Sequence, residues 1–298
     1  MKFTRRKSLW LMAGAAASAA GRQLEDEWRK IARDTDGTVG AAALGLESHT
    51  HFSLNGDVRF PLASVCKLPI AMHMLALVDE GKLARDQTIE VLPRDVVKSV
   101  SPIAERWPAE TRFRLDEMLE LMVAHSDNTA VETFFRLEGP AVTPRLRAWH
   151  IEGVRIDRPE SQCNRDRRAD LKKLLNDPRD TGTPNGTAEL LARLLRGELL
   201  SASSTARMIE ILKATATFPA RLKGLLPPGT VVAHKTGSSG VDDGIAAATN
   251  DSGVIFLPGG RHVAVSVYLK ASTKSDAGRD SIIARIARAA YDAYRLAA

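Results

Sequence analysis

The chain has 298 residues, of which 44% are apolar, 26% charged and 5% aromatic. That balance supports a sizeable core in one large domain or two smaller ones, and it excludes a disordered chain, a collagen and a coiled coil. The net charge of +6 invites a nucleic-acid or membrane partner, but Lys2, Arg5, Arg6 and Lys7 fall in the first twenty positions, which hold no acid. That leaves 38 of the 42 basic residues against 36 acids, too even a balance to bind phosphates by charge alone.

Residues 1–20 read as an export signal. They have a basic start, an apolar stretch from Leu9 to Ala17, and small residues suited to cleavage near Ala19 or Ala20. The stretch is too short and alanine-rich to span a bilayer. Arg5-Arg6, within Thr4-Arg5-Arg6-Lys7-Ser8-Leu9, resembles the twin-arginine signal, with Ser8 and Trp10 departing from its preferred Phe and Lys. The mature chain is expected in the periplasm or outside the cell, with no membrane contact after signal removal.

An amphipathic helix follows over Gln23 to Asp34, with Leu24, Trp28 and Ile31 on one face and Gly37 as its stop. Thr38 to Leu46 and His51 to Leu54 then read as two strands. From Leu62 to about Leu200 the pattern turns helical, over Ser64–Asp79, Leu115–Val123, Thr129–Leu137, Pro144–Trp149 and Thr187–Leu195. Strand signals return at Val231–His234, Gly253–Leu257 and His262–Leu269, with Pro258-Gly259-Gly260 as a hairpin turn between the last two. A final helix spans Ser281–Leu296. Strands at both ends and helices between them predict an α/β (α+β) fold. One antiparallel sheet is built from both termini (21–60 and 205–298), a mostly helical lobe (61–204) is inserted between the strands, and a cleft separates the two.

Three motifs occur in order: Ser64-Val65-Cys66-Lys67, Ser126-Asp127-Asn128 and Lys235-Thr236-Gly237. A Ser-x-x-Lys arises by chance about once in a chain of this length, but each tripeptide in only about one chain in thirty. Residues three apart share a helix face, so Ser64 and Lys67 approach each other, and a helix N-terminus favours the charge that develops when a serine attacks a carbonyl. Ser64 is the nucleophile candidate. Burial and a neighbouring cation, for which Lys235 is the candidate, bring a lysine base into working range. Ser126 is placed between Lys67 and Lys235 to relay a proton to the leaving nitrogen, and Asn128 to hold a substrate amide. Lys235 and Thr236 offer a cation and a hydroxyl to a carboxylate. Gly237 lets the strand approach closely, and the backbone N–H of Ser238 pairs with that of Ser64 as an oxyanion hole.

These motifs, in this order and on these elements, resemble those of class A serine β-lactamases, from about residue 22 to the end. The resemblance implies hydrolysis of the β-lactam amide through a serine acyl-enzyme, with no metal or organic cofactor. Arg158-Pro159-Glu160-Ser161-Gln162-Cys163-Asn164 resembles the family's omega loop, so Glu160 and Asn164 are expected to hold the deacylating water. Arg158 and Asp180 are expected to close the loop's neck. Asp180 follows Asn164 by 16 positions, longer than in familiar members. Arg279 and Arg221 are candidates for the arginine that binds the substrate carboxylate, Arg279 preferred. Val100 stands where many relatives carry an aromatic gate.

Related readings are a D-alanyl-D-alanine peptidase, against which Glu160 argues, and a penicillin-binding sensor that stays acylated. The expected partner is a small β-lactam. No nucleic acid is expected, because Arg165, Arg167, Arg168, Lys172 and Lys173 are interleaved with Asp166 and Asp170. The protein is expected to be a monomer. Cys66 and Cys163 are either a disulfide or two free thiols.

Overall fold

A computed structural model describes residues 21–296; the export signal expected over residues 1–20 lies outside them. The strands are β1 (Thr38–Gly45), β2 (His51–Leu54), β3 (Phe60–Pro61), β4 (Thr88–Glu90), β5 (Arg112–Arg114), β6 (Thr181–Gly182), β7 (Val232–Ser238), β8 (Val241–Asp242), β9 (Ile245–Ala246), β10 (Thr249–Leu257) and β11 (Arg261–Lys270). The helices are α1 (21–32), α2 (Lys67–Asp79), α3 (Pro102–Arg106), α4 (Leu115–Ala124), α5 (Asn128–Ala148), α6 (Glu160–Ala169), α7 (Leu171–Asn176), α8 (Pro184–Leu195), α9 (Ala202–Lys213) and α10 (Asp276–Leu296).

The main sheet has five antiparallel strands in the order β2-β1-β11-β10-β7, joining the two ends of the chain as expected. Successive side chains of a strand point to opposite faces, and β11 shows how the core is divided. Val263, Val265, Val267 and Leu269 face a cluster with Trp28 of α1 and Ile282, Ile283 and Ile286 of α10. Ala264 and Tyr268 face a second cluster that takes in α2, α4, α5, α8 and α9. The turn predicted at Pro258-Gly259-Gly260 is a 3-10 turn whose two glycines have φ of 76° and 73°, values that only glycine adopts without strain.

Three local expectations are revised. The two helices read over Thr129–Leu137 and Pro144–Trp149 are one helix, α5, which runs through Pro140 and Pro144. Proline removes an internal hydrogen bond and crowds the preceding turn, but Val131, Phe134, Val142 and Leu146 are buried on both sides of Pro140 and hold the helix on the core. The helix expected to open at Ser64 begins as a 3-10 turn, Ala63–Cys66, and becomes α-helical only at Lys67. Helix α9, unmarked in the sequence reading, starts in a serine-rich run where the Ser201 side chain accepts from the Ser204 N–H, and it buries Met208, Ile211 and Leu212.

Candidate active site

The site forms where four element ends meet: the 3-10 turn before α2, the N-terminus of α5, the N-terminus of α6, and β7 at the edge of the sheet. Gly237 fits β7 against the turn. A Cβ there would stand 2.7 Å from the Leu62 carbonyl oxygen and 3.1 Å from the Val65 nitrogen, so any larger residue pushes the strand away from the turn that carries Ser64.

Ser64 is 9% exposed and Lys67 fully buried. The Lys67 Nζ donates to Ser64 Oγ at 3.1 Å, Ser126 Oγ at 3.0 Å, the Ser126 carbonyl at 2.7 Å and Asn128 Oδ1 at 2.6 Å. Glu160 Oε2 lies 3.1 Å from the same ammonium, and the Ser64 hydroxyl donates to Glu160 Oε1 at 3.3 Å. On the opposite side, Lys235 Nζ donates to Ser126 Oγ at 3.1 Å and to the Thr236 carbonyl at 3.0 Å. Ser126 therefore stands between two lysines. Its φ of 61° is left-handed, a conformation that a non-glycine residue holds only when its surroundings impose it. Burial first, and then the charge of Lys67, push the Lys235 ammonium down to about 7.

Asp127 imposes part of that geometry. It is fully buried, caps α5 by accepting from the Ala130 N–H at 2.8 Å, and reaches across to the Ser101 hydroxyl at 3.0 Å and the Ile103 N–H at 2.8 Å. Asn128, expected to face a substrate amide, also donates from Nδ2 to the Ser99 carbonyl at 3.0 Å. Val100, at the expected gate, is 62% exposed with φ of 49°.

Glu160 is the first residue of α6, where the helix dipole favours a negative charge. The segment is tied at its neck. Asp180 accepts from Arg158 Nε at 2.6 Å and from the N–H groups of Asp157 and Arg158 at 2.7 and 2.9 Å. Arg158 also reaches Asp166 at 2.6 Å and Asp177 at 3.2 Å. Burial opposes the Arg158 charge, but the Asp180 bond leaves the guanidinium held above its ordinary range. Between Asn164 and Asp180 the chain completes α6 and forms helix α7, capped by Asp170. Asn164 lines the same cavity as Glu160.

The two arginine candidates differ. Arg279 is spent on Thr249 Oγ1 at 2.8 Å, the Lys274 carbonyl and Asp276. Arg221 lies behind β7, donating to Ser238 Oγ at 2.6 Å, to the carbonyls of Gly237 and Asn250 at 2.9 and 3.0 Å, and to Asp280 Oδ1 at 2.7 Å. Two contributors escaped the sequence reading. Thr217 Oγ1 lies 2.5 Å from Thr236 Oγ1. Glu132 takes the Ser161 N–H at 2.8 Å and the Ser161 hydroxyl at 2.9 Å, anchoring the start of α6. The one signal for Glu132 was its place four residues after Asn128, on the same helical face.

A serine hydroxyl that touches both a buried ammonium and a carboxylate, beside a strand edge, has the chemistry of acyl transfer through serine. Comparison with known proteins narrows the class. The model of the β-lactamase enzyme family matches residues 23–294. β-Lactamase VEB-1 of Pseudomonas aeruginosa is 35% identical over 261 residues, 86% of this chain and 85% of the relative. The extended-spectrum β-lactamase PER-1 of the same organism is 35% identical over 278 residues, 92% of this chain and 88% of the relative. Among solved structures, a β-lactamase from Chitinophaga pinensis superposes with a TM-score of 0.85 at 35% identity, covering 91% of this chain and 99% of its own. The TLA-3 extended-spectrum β-lactamase gives 0.86 at 30% identity, covering 92% and 99%. The chain belongs to the β-lactamase enzyme family and is a serine β-lactamase of class A type, a hydrolase of β-lactams.

Proposed function

We propose that Ser64 attacks the β-lactam carbonyl and that Ser126 passes a proton to the departing nitrogen. Glu160, with Asn164, then directs a water at the resulting ester. The observation that carries this reading is the Lys67 ammonium, which touches Ser64, Ser126, Asn128 and Glu160 together. Proton transfer among these groups needs no large movement. The backbone N–H groups of Ser64 and Ser238 are assigned to the oxyanion, and Asn128 to the substrate amide. Lys235 and Thr236 take the substrate carboxylate. Of the two arginines, each paired with an aspartate (Arg221 with Asp280, Arg279 with Asp276), Arg221 is favoured to support it, because its guanidinium also hydrogen-bonds Ser238 on β7 itself.

The enzyme is read as a two-lobed monomer that acts on a small-molecule β-lactam after export, with the twin-arginine route suggested by Arg5-Arg6. Among the described residues no helix is long and apolar enough to cross a membrane. The test mixes mature protein with excess chromogenic cephalosporin and takes intact masses during the run. Turnover beyond one equivalent that is lost in Ser64→Ala, together with an acyl adduct that accumulates in Glu160→Gln, supports the assignment. A burst of one equivalent with a lasting adduct on the unmodified enzyme refutes a deacylating role for Glu160.

A further inference from the structure

Two side chains beside the catalytic cluster have no part in that chemistry. Cys66 ends the 3-10 turn, two residues after Ser64 and next to Lys67. Cys163 lies three residues after Glu160 in α6, so the two share one side of that helix. They are the only cysteines in the sequence, and both are free thiols of intermediate exposure. Both line one cavity of about 60 Å³, together with Glu160, Asn164, Asp180 and Ser238. Both thiol side chains therefore lie on the wall of one small cavity.

Side-chain contacts already join the two segments there. Glu160, at the start of α6, touches Ser64 at 3.3 Å and Lys67 at 3.1 Å, the residues that flank Cys66. Cys163 Sγ donates to Asp180 Oδ2 at 3.3 Å. Burial raises both thiols above their ordinary range, with Glu160 adding to the effect at Cys66 and Asp180 at Cys163. Both are therefore held protonated at neutral pH. A thiol whose thiolate gains no stabilisation forms a disulfide that resists reduction.

We propose that Cys66 and Cys163 are a thiol–disulfide pair, joined by exchange with a small-molecule disulfide, which fastens the helix bearing Glu160 to the turn bearing Ser64. In the first step the Cys163 thiol loses its proton and its sulfur attacks one sulfur of the small disulfide. The S–S bond of the reagent breaks and one small thiol leaves with a proton. In the second step the Cys66 sulfur, its proton lost, attacks Cys163 Sγ and expels the second small thiol. Two cysteine thiols are oxidised by two electrons, and one small disulfide is reduced to two thiols. The bond closes a loop containing both the Ser-Asp-Asn segment and the start of α6, so its effect falls on the geometry that sets Glu160 against Ser64 and Lys67.

The test incubates the mature chain at pH 8 with oxidised glutathione, quenches with acid and reads the intact mass. Alkylation under denaturing conditions and peptide mapping follow. The expected product is about 2 Da lighter than the dithiol, takes no alkylating reagent until reduced, and yields one cross-linked peptide pair holding Cys66 and Cys163. Hydrogen exchange in residues 160–180 is expected to slow in the oxidised form. Two alkylatable thiols, or glutathione adducts that do not resolve to the internal bond, overturn the pairing. An internal bond that leaves exchange over residues 160–180 unchanged overturns the fastening. Neither readout depends on β-lactam turnover, so the result stands apart from the assignment of the catalytic roles.

Discussion

Lys235 offers the sharpest prediction, because its pKa falls within the working pH range. The buried ammonium is pushed down to about 7, by burial first and by Lys67 second. If its cation binds the substrate carboxylate, the competent fraction of free enzyme is half at pH 7 and falls about tenfold per unit above it. The quantity to measure is kcat/KM for a carboxylate-bearing β-lactam from pH 6 to 9.5, which reports the free enzyme. A bound carboxylate favours the charged lysine, so the alkaline limb of kcat is expected at higher pH than that of kcat/KM. In Lys235→Arg the guanidinium stays charged throughout, and the limb should disappear from kcat/KM even if the absolute rate is lower. Stability runs the opposite way. The folded value lies below the unfolded value of about 10.5, so the unfolded chain binds the extra proton between about pH 7 and 10.5, and this contribution to stability grows as pH rises through that window. An identical alkaline limb in the wild type and Lys235→Arg would refute the argument.

Three substitutions test the supports of the site. Asp180→Asn breaks a pair whose side chains are 5% and 11% exposed; a loss of about 3 kcal/mol in urea unfolding is expected, with slower deacylation in stopped-flow kinetics, and unchanged stability would count against the neck. Gly237→Ala puts a Cβ 2.7 Å from the Leu62 carbonyl oxygen; displacing β7 by about an ångström should cost about a hundredfold in acylation rate, and a wild-type rate would show that the strand has room to yield. Asp127→Ala removes the α5 cap and leaves the Ile103 N–H without its acceptor; about 1 kcal/mol for the cap and 1 to 3 kcal/mol for the buried donor should appear as a lower urea midpoint, and a change below 1 kcal/mol would mean the segment re-forms its bonds.

The sequence revealed the parts of this molecule that rest on periodic apolar burial. The alternation of Val263, Val265, Val267 and Leu269 marks β11, and Trp28 and Ile31 mark α1, because each lies against one continuous apolar layer. Helix α6 has no such layer; its one buried residue is Arg167, and the segment is held by Arg158, Asp180 and Glu132, which no period betrays. The same distinction runs through the site. Ser64, Lys67, Ser126 and Lys235 were legible because they lie in short motifs, whereas the choice between Arg221 and Arg279 depends on which neighbours each finds after folding. Thr217 and Glu132 lie outside every motif and become visible only when β7 and α6 are placed.

The charges of the site are coupled, and this has a consequence for the deacylation test itself. Glu160 lies against Lys67 and, ahead of Asp251, helps hold the Lys235 pKa up against burial and the Lys67 charge. The net charge of the cluster then follows Lys235, whose protonated form suits a carboxylate substrate and the oxyanion that forms at Ser64. Glu160→Gln therefore does more than remove a base for water. With that negative charge gone, Asp251 is the carboxylate left to offset the Lys67 charge at Lys235, and the Lys235 pKa is expected to fall further. The alkaline limb of acylation in Glu160→Gln is then expected at lower pH than in the wild type, a shift that loss of a deacylating base alone would not cause. Single-turnover acylation across pH separates the two effects: a limb that stays where the wild type has it would mean that Glu160 and Lys235 are electrostatically independent, and that the short Lys67 and Ser126 contacts between them do not transmit charge.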